Sequence, residues 1–252
     1  MTLITNEIHM LDGFRNTALI FAADRRLSGM DGSYHGTAQK LFQIPYFRGG
    51  ISFFGLAEFT KSRKSCSMSE FLRVFVSHNV SASSLEEFCQ RLKSELEGFI
   101  PETLLAHQVS GFHVCGYGVN GLPEFWFLSN ILAMDDFRYT LLASRYNAPS
   151  SDFLARDAPA NGWNGKDLGS IKNYVQCYRN GDYRMHAVAW ERLDQILADM
   201  SRFSDMKAMK NEHDYTAFVT FKMKIIADFY KKFSKTPTIG TPIDVFVNLS
   251  SI

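Results

Sequence analysis

Apolar residues recur with a period of two, then of three to four, and then the alternation repeats; this ordering limits the architecture more than any other feature of the chain. Residues 2–8 (TLITNEI) and 17–23 (TALIFAA) have strand composition and flank the turn LDGFRN, which predicts a β-hairpin. The stretch DRRLSGMDGSYHGTAQ is polar and glycine-rich and reads as a loop. KLFQI and ISFFG then form two strands around the turn PYFRGG.

The period changes at residue 67. In SMSEFLRVFVSH, Met68, Phe71, Leu72 and Phe75 share one helical face. Over residues 83–100, Leu85, Phe88, Leu92 and Leu96 form a second apolar stripe, with Ser83 or Ser84 as the cap and Pro101 marking the end. Strands return in VSGFHVCGYG and PEFWFLSN, either side of Asn120-Gly121, and in YTLLAS at 139–144. Residues 147–170 are rich in Asn, Gly, Asp, Ser and Pro and read as an irregular insert. Two helical patterns follow, at about 184–200 and 215–233, and IDVFVNL closes the chain as a strand. The run Phe125-Trp126-Phe127 and the stripe Phe218, Phe221, Ile225, Phe229, Phe233 are expected to be packing residues.

Strands interrupted by helix pairs imply antiparallel sheets with segregated helices, an α+β arrangement in a single domain over residues 1–252. With 252 residues, 46% of them hydrophobic, a sizeable core is within reach. The formal net charge of +1 offers no basic surplus for nucleic acid. No apolar run reaches the roughly 18 residues of a membrane span. Cys66, Cys89, Cys115 and Cys177 are dispersed and form no CxxC pair, so reduced thiols and a cytoplasmic location are expected. The histidines are scattered as well, His35 and His113 among them, and no metal site is expected. GxxxxGK and GxSxG are missing, and the single GxGxxG match, Gly116 to Gly121, lies between two expected strands rather than ahead of a helix, which removes the usual phosphate-loop and α/β-hydrolase readings.

Residues 17–57 combine an apolar strand ending in Ala23-Asp24, an arginine at 26, a glycine-containing loop, Lys40, and a further apolar strand ending at Gly55. This pattern resembles the start of proteasome β-subunits and their bacterial relatives in the N-terminal-nucleophile (Ntn) hydrolase superfamily. The likeness continues more weakly at GYGVNGLPEFWFL and at IGTPIDVFV. It implies a four-layer αββα sandwich, two stacked antiparallel sheets flanked by helices. It also implies a threonine peptidase or amidase without metal or organic cofactor. A peptide or amide substrate, self-assembly into homo-oligomers and room for a regulatory ATPase partner come with it.

The implied chemistry needs a base beside a weak nucleophile. A threonine at the chain start can use its own α-amino group, whose pKa of roughly 8 suits a general base near neutral pH. A buried lysine lowers the pKa of amine and hydroxyl, an aspartate keeps that lysine charged, and a glycine N–H stabilises the oxyanion. The resemblance gives Thr2, exposed by removal of Met1, as nucleophile and base. It gives Asp24 and Lys40 as the charge pair, Gly55 as oxyanion donor, and Ser144 as a residue buttressing the amine. Arg26 would be structural, and Phe53 and Phe54 would line or fill the substrate pocket.

Three departures stand beside these matches. The Thr2-to-Asp24 spacing exceeds the family's by six residues, and Thr5 competes as nucleophile at the cost of four residues. The family's Asp-x-x-Ser buttress is missing near TPTIGTPID, where Thr236 and Ile239 occupy its positions; Asp244 is expected along the last strand. A catalytically inactive scaffold and a small-molecule amidase on the same fold therefore remain as alternatives.

Overall fold

The computed structural model describes residues 2–12, 16–29, 31–135, 138–154, 174–182, 190–203 and 209–251. The expected hairpin forms from β1 (Leu3–Asp12) and β2 (Asn16–Asp24), antiparallel with Ile4 opposite Ala23 and Ile8 opposite Leu19. β14 (Tyr174–Gly181) adds to the free edge of β1 and β15 (Ile243–Ser251) to that of β2, giving the sheet order β14-β1-β2-β15. A second antiparallel sheet is built from β5 (Leu41–Ile44), β6 (Gly49–Gly55), β9 (Ser110–Tyr117), β10 (Pro123–Ser129) and β13 (Ser150–Leu154). Its order is β13-β10-β9-β6-β5.

β2 is a near-continuous apolar run because both of its faces are covered. Leu19, Phe21 and Ala23 point towards the second sheet, where Leu41, Phe54, Cys115 and Phe125 join them in one cluster. Ala18, Ile20 and Ala22 alternate to the other face, as a period of two requires. There they meet Val219, Met223, Ile226 and Tyr230 of α5 (Glu212–Phe233). The far face of the second sheet carries Ile51, Phe53, Phe112, Val114 and Trp126. Against it lie Leu72 and Phe75 of α1 (Met68–His78) and Phe88, Leu92 and Leu96 of α2 (Leu85–Phe99). α2 is capped at its start: Ser84 Oγ accepts the Glu87 N–H at 3.1 Å, and the Glu87 carboxylate accepts the N–H of the preceding Ser83 at 2.8 Å.

Two polar clusters sit inside this apolar frame. Between the sheets, Asn6 Oδ1 lies 2.8 Å from His113 Nδ1 and Asn180 Nδ2 lies 2.7 Å from His113 Nε2, so His113 is a satisfied structural histidine. Under α5, buried Lys222 bonds Glu7 at 2.8 Å and Asp194 of α4 (Glu191–Phe203) at 3.1 Å, while His9 reaches Glu7 at 2.9 Å. Burial alone would raise the Glu7 carboxyl, but Lys222 and His9 outweigh it and hold Glu7 well below its ordinary value. The cluster ties both late helices to β1.

Several sequence expectations need correction. The glycine-rich stretch after Asp24 is not plain loop: β3 (Arg26–Ser28) and β4 (Tyr34–Thr37) pair within it. A second short ribbon, β7 (Glu58–Lys61) with β8 (Lys64–Ser67), precedes α1, and a one-turn helix, α3 (Glu102–Leu105), follows Pro101. The strand expected at 139–144 is shorter: β12 (Arg138–Leu141) pairs with β11 (Ile131–Asp135) and stops before Ser144. Part of the irregular insert is β13, paired to β10; positions 155–170 lie outside the described residues, as do 184–189 of the first late helix. Phe218 packs under α5, but Phe221, Ile225, Phe229 and Phe233 face away from the core and are exposed, Phe233 at 73%. Phe53 and Phe54 fill the two cores on opposite sides of β6.

Candidate functional site

The site forms where the first hairpin ends. Antiparallel pairing of β1 and β2 sets the start of one strand beside the end of the other, so Asp24 falls next to Leu3. The Leu3 N–H donates to Asp24 Oδ1 at 2.7 Å. Lys40, just ahead of β5, extends its Nζ to the same oxygen at 3.3 Å and to the Arg26 carbonyl at 2.5 Å. The Gly240 N–H reaches Asp24 Oδ2 at 3.4 Å. Asp24 and Lys40 are both fully buried. Burial pushes the Asp24 carboxyl up and the Lys40 amine down, and the attraction within the pair opposes both shifts. The lysine amine is thus shielded from water, held by one carboxylate and one carbonyl, and directed to the start of β1.

Gly55 ends β6 in the left-handed region (φ 87), and a Cβ there would stand 2.0 Å from the Val109 carbonyl oxygen. Only glycine fits such a corner. Thr2 and Gly55 line one cleft of about 190 Å³, together with Ser28 and His35 of the β3–β4 ribbon, Glu58 and Gln108. Thr5, the competing nucleophile, is fully buried within β1 between β14 and β2 and does not line the cleft. Four of the five expected site residues, Thr2, Asp24, Lys40 and Gly55, are therefore gathered at one end of the hairpin. Ser144 is not: it is exposed (φ 75), two residues before Tyr146, whose N–H donates to Glu97 of α2 at 2.9 Å. Asp244 lies along β15, where Arg25 Nε donates to both its carboxylate oxygens at 2.8 Å.

A further carboxylate was missed from sequence. Asp182 follows β14 and is buried; its N–H donates to the Thr2 carbonyl at 2.7 Å. Its Oδ2 accepts the Thr238 hydroxyl at 2.9 Å. Gly181 permits this approach, since a Cβ there (φ 114) would meet the Thr2 carbonyl oxygen at 1.8 Å. The segment containing Thr238 and Gly240 thus packs on both Asp182 and Asp24. The signal available in sequence was the strand-like YVQCYRNG ending in Gly181-Asp182, in a region dominated by the irregular insert.

No family model matches the chain, and no curated protein matches it either. The described helices include none long and apolar enough to cross a membrane.

Proposed function

We propose that this chain is a threonine-type Ntn hydrolase on a four-layer αββα sandwich, cleaving a peptide or amide bond once Met1 is removed. The observation that carries this reading is the convergence of residues far apart in sequence. Asp24 holds both the backbone beside Thr2 and the buried Lys40 amine, while Thr2 and Gly55 line a common cleft. The order of packing supports it too, with α1 and α2 on one sheet, α5 on the other, and an apolar layer between the sheets.

In this mechanism the freed α-amino group of Thr2 takes the hydroxyl proton as Oγ1 attacks the substrate carbonyl. Lys40 lowers the pKa of both groups, and Asp24 keeps Lys40 charged and oriented. The Gly55 N–H stabilises the oxyanion. The C–N bond breaks as the α-ammonium returns its proton to the leaving amine. Water, deprotonated by the same amine, then hydrolyses the acyl ester and restores Thr2.

The free thiols Cys66, Cys89, Cys115 and Cys177 support a reducing, cytoplasmic setting. The exposed Phe221, Ile225, Phe229 and Phe233 support a homo-oligomer, and they also favour the second reading, an inactive scaffold subunit. Intact-mass measurement before and after treatment with a threonine-directed epoxyketone separates the two. Loss of one Met plus a single adduct, absent in Thr2→Ala, is the expected result. A retained Met1 with no adduct would end the hydrolase reading in favour of the scaffold.

A further inference from the structure

The cleft beside Thr2 has an uneven charge. Glu58 lines it from the solvent-facing side of β7, while the neighbouring Phe59 turns into the core beneath α1 and α2. Among the described residues the Glu58 carboxylate has no hydrogen-bond or ion-pair partner. The remaining polar side chains of the lining are Thr2, Ser28, His35 and Gln108. Ser28 Oγ donates to the Thr238 carbonyl at 3.1 Å, and His35 Nε2 is 2.8 Å from Ser33 Oγ. Two cations stand behind this lining: Lys40 is committed to Asp24 and the Arg26 carbonyl, and Arg26 donates to Ser28 Oγ at 3.0 Å and to the Gly32 carbonyl at 3.3 Å. Among the side chains that line the cleft, Glu58 therefore carries the one formal charge presented to an incoming ligand. Its 190 Å³ equals on the order of six water volumes, enough for one small group.

We infer that the cleft takes the cationic side group, amine or guanidinium, of a small amide or peptide substrate, with Glu58 as its counter-charge. The inference rests on the threonine-hydrolase reading for the catalytic step but not for the binding step. Glu58 sets which acyl group enters; it takes no part in bond making or breaking. Being exposed, its substitution leaves the fold intact, so a change in preference reports on the cleft.

The test is equilibrium binding at low salt of four probes, the Nα-acetyl amides of lysine, arginine, norleucine and glutamate, with the Glu58 changes repeated on the Thr2→Ala background for any probe that wild type cleaves. Wild type, Glu58→Gln, Glu58→Lys and Thr2→Ala are compared. The cationic probes are expected to bind about three- to fivefold more tightly than the norleucine probe, the scale of a solvent-exposed ion pair. Glu58→Gln removes that margin, Glu58→Lys transfers it to the glutamate probe, and Thr2→Ala retains it. Equal binding of lysine and norleucine probes, a margin unchanged in Glu58→Gln, or binding of none of the four overturns the inference. An intact cation margin in a protein that forms no epoxyketone adduct supports the inference while refuting the hydrolase.

Discussion

The main-chain N–H of Asp182 donates to the carbonyl of Thr2 at 2.7 Å, fixing the start of β1 from the side opposite β2. Through the Thr238 hydroxyl on its carboxylate, Asp182 also anchors the segment that leads into β15. Three distant parts of the chain meet on one residue, and Thr2 is held at its backbone rather than its side chain.

Substitution of Gly181 tests that arrangement. A Cβ would stand 1.8 Å from the Thr2 oxygen, on a backbone at φ 114. Gly181→Ala is expected to cost about 1–3 kcal/mol in urea denaturation, the scale of a strained backbone residue. It should also slow epoxyketone capture by Thr2. Unchanged stability with unchanged capture would mean that β14 does not position Thr2.

Asp24 and Lys40 behave as a unit. Asp24→Ala leaves the buried Lys40 amine without its carboxylate and the Leu3 N–H without its acceptor, and a loss of about 3–5 kcal/mol is expected. The paired change Asp24→Leu with Lys40→Met is expected to recover most of that stability yet form no adduct at Thr2. Thermal unfolding and intact mass together check this. An adduct in the doubly substituted protein would remove Lys40 from the mechanism.

What could be read from sequence follows from how local each signal is. The hairpin was legible because β2 is apolar on both faces and a turn separates it from β1. Asp24 and Lys40 were legible because each ends or precedes a buried strand at a recognisable spacing. Asp182 was hidden because its role depends on β14 returning to pair with β1, a contact between residues far apart in the chain. Ser144 was misplaced because YTLLAS has strand composition, whereas pairing ends at Leu141 and the chain turns towards α2. Of the stripe expected to pack on α5, only Phe218 does so. Helical spacing located the stripe, but spacing alone could not tell that Val219, Met223 and Ile226 face the sheet instead.

Between the sheets, His113 joins Asn6 and Asn180, and the buried Ser52 hydroxyl donates to the same Asn6 oxygen at 3.5 Å. His113→Phe keeps an aromatic ring but takes the ring nitrogens away from the buried Asn6 amide and the half-buried Asn180 amide. A loss of about 1–3 kcal/mol is expected, larger than volume alone explains. Adding Asn6→Leu should recover part of it; failure to do so would mean that packing, not polar pairing, fixes the residue.

Phe229 and Phe233 on α5 are 52% and 73% exposed, with ring centroids 5.5 Å apart. Replacing both by serine is expected to change monomer stability by less than about 1 kcal/mol while lowering self-association in sedimentation velocity. Unchanged association would show that this stripe is not the contact between copies.

Acid sensitivity follows from Glu7. Its carboxyl is held below the ordinary 4.5, so in the folded state it stays charged where the unfolded chain takes up a proton. The stability this contributes is present above pH 4.5 and is lost progressively as pH falls below that value. Lys222, raised by Glu7 and Asp194 against the cost of burial, contributes stability that is full below 10.5 and lost as pH rises beyond it. Asp24, pushed up by burial, has the opposite sign in acid, because the folded form holds its proton to higher pH than the unfolded chain does. The difference between two proteins isolates the Glu7 cluster from Asp24. Glu7→Gln combined with Lys222→Met is therefore expected to flatten the stability profile between pH 5 and pH 3 relative to wild type, as measured by urea titrations at fixed ionic strength. Parallel profiles over that interval would mean that the unfolded chain, not the Glu7–Lys222 pair, governs acid unfolding.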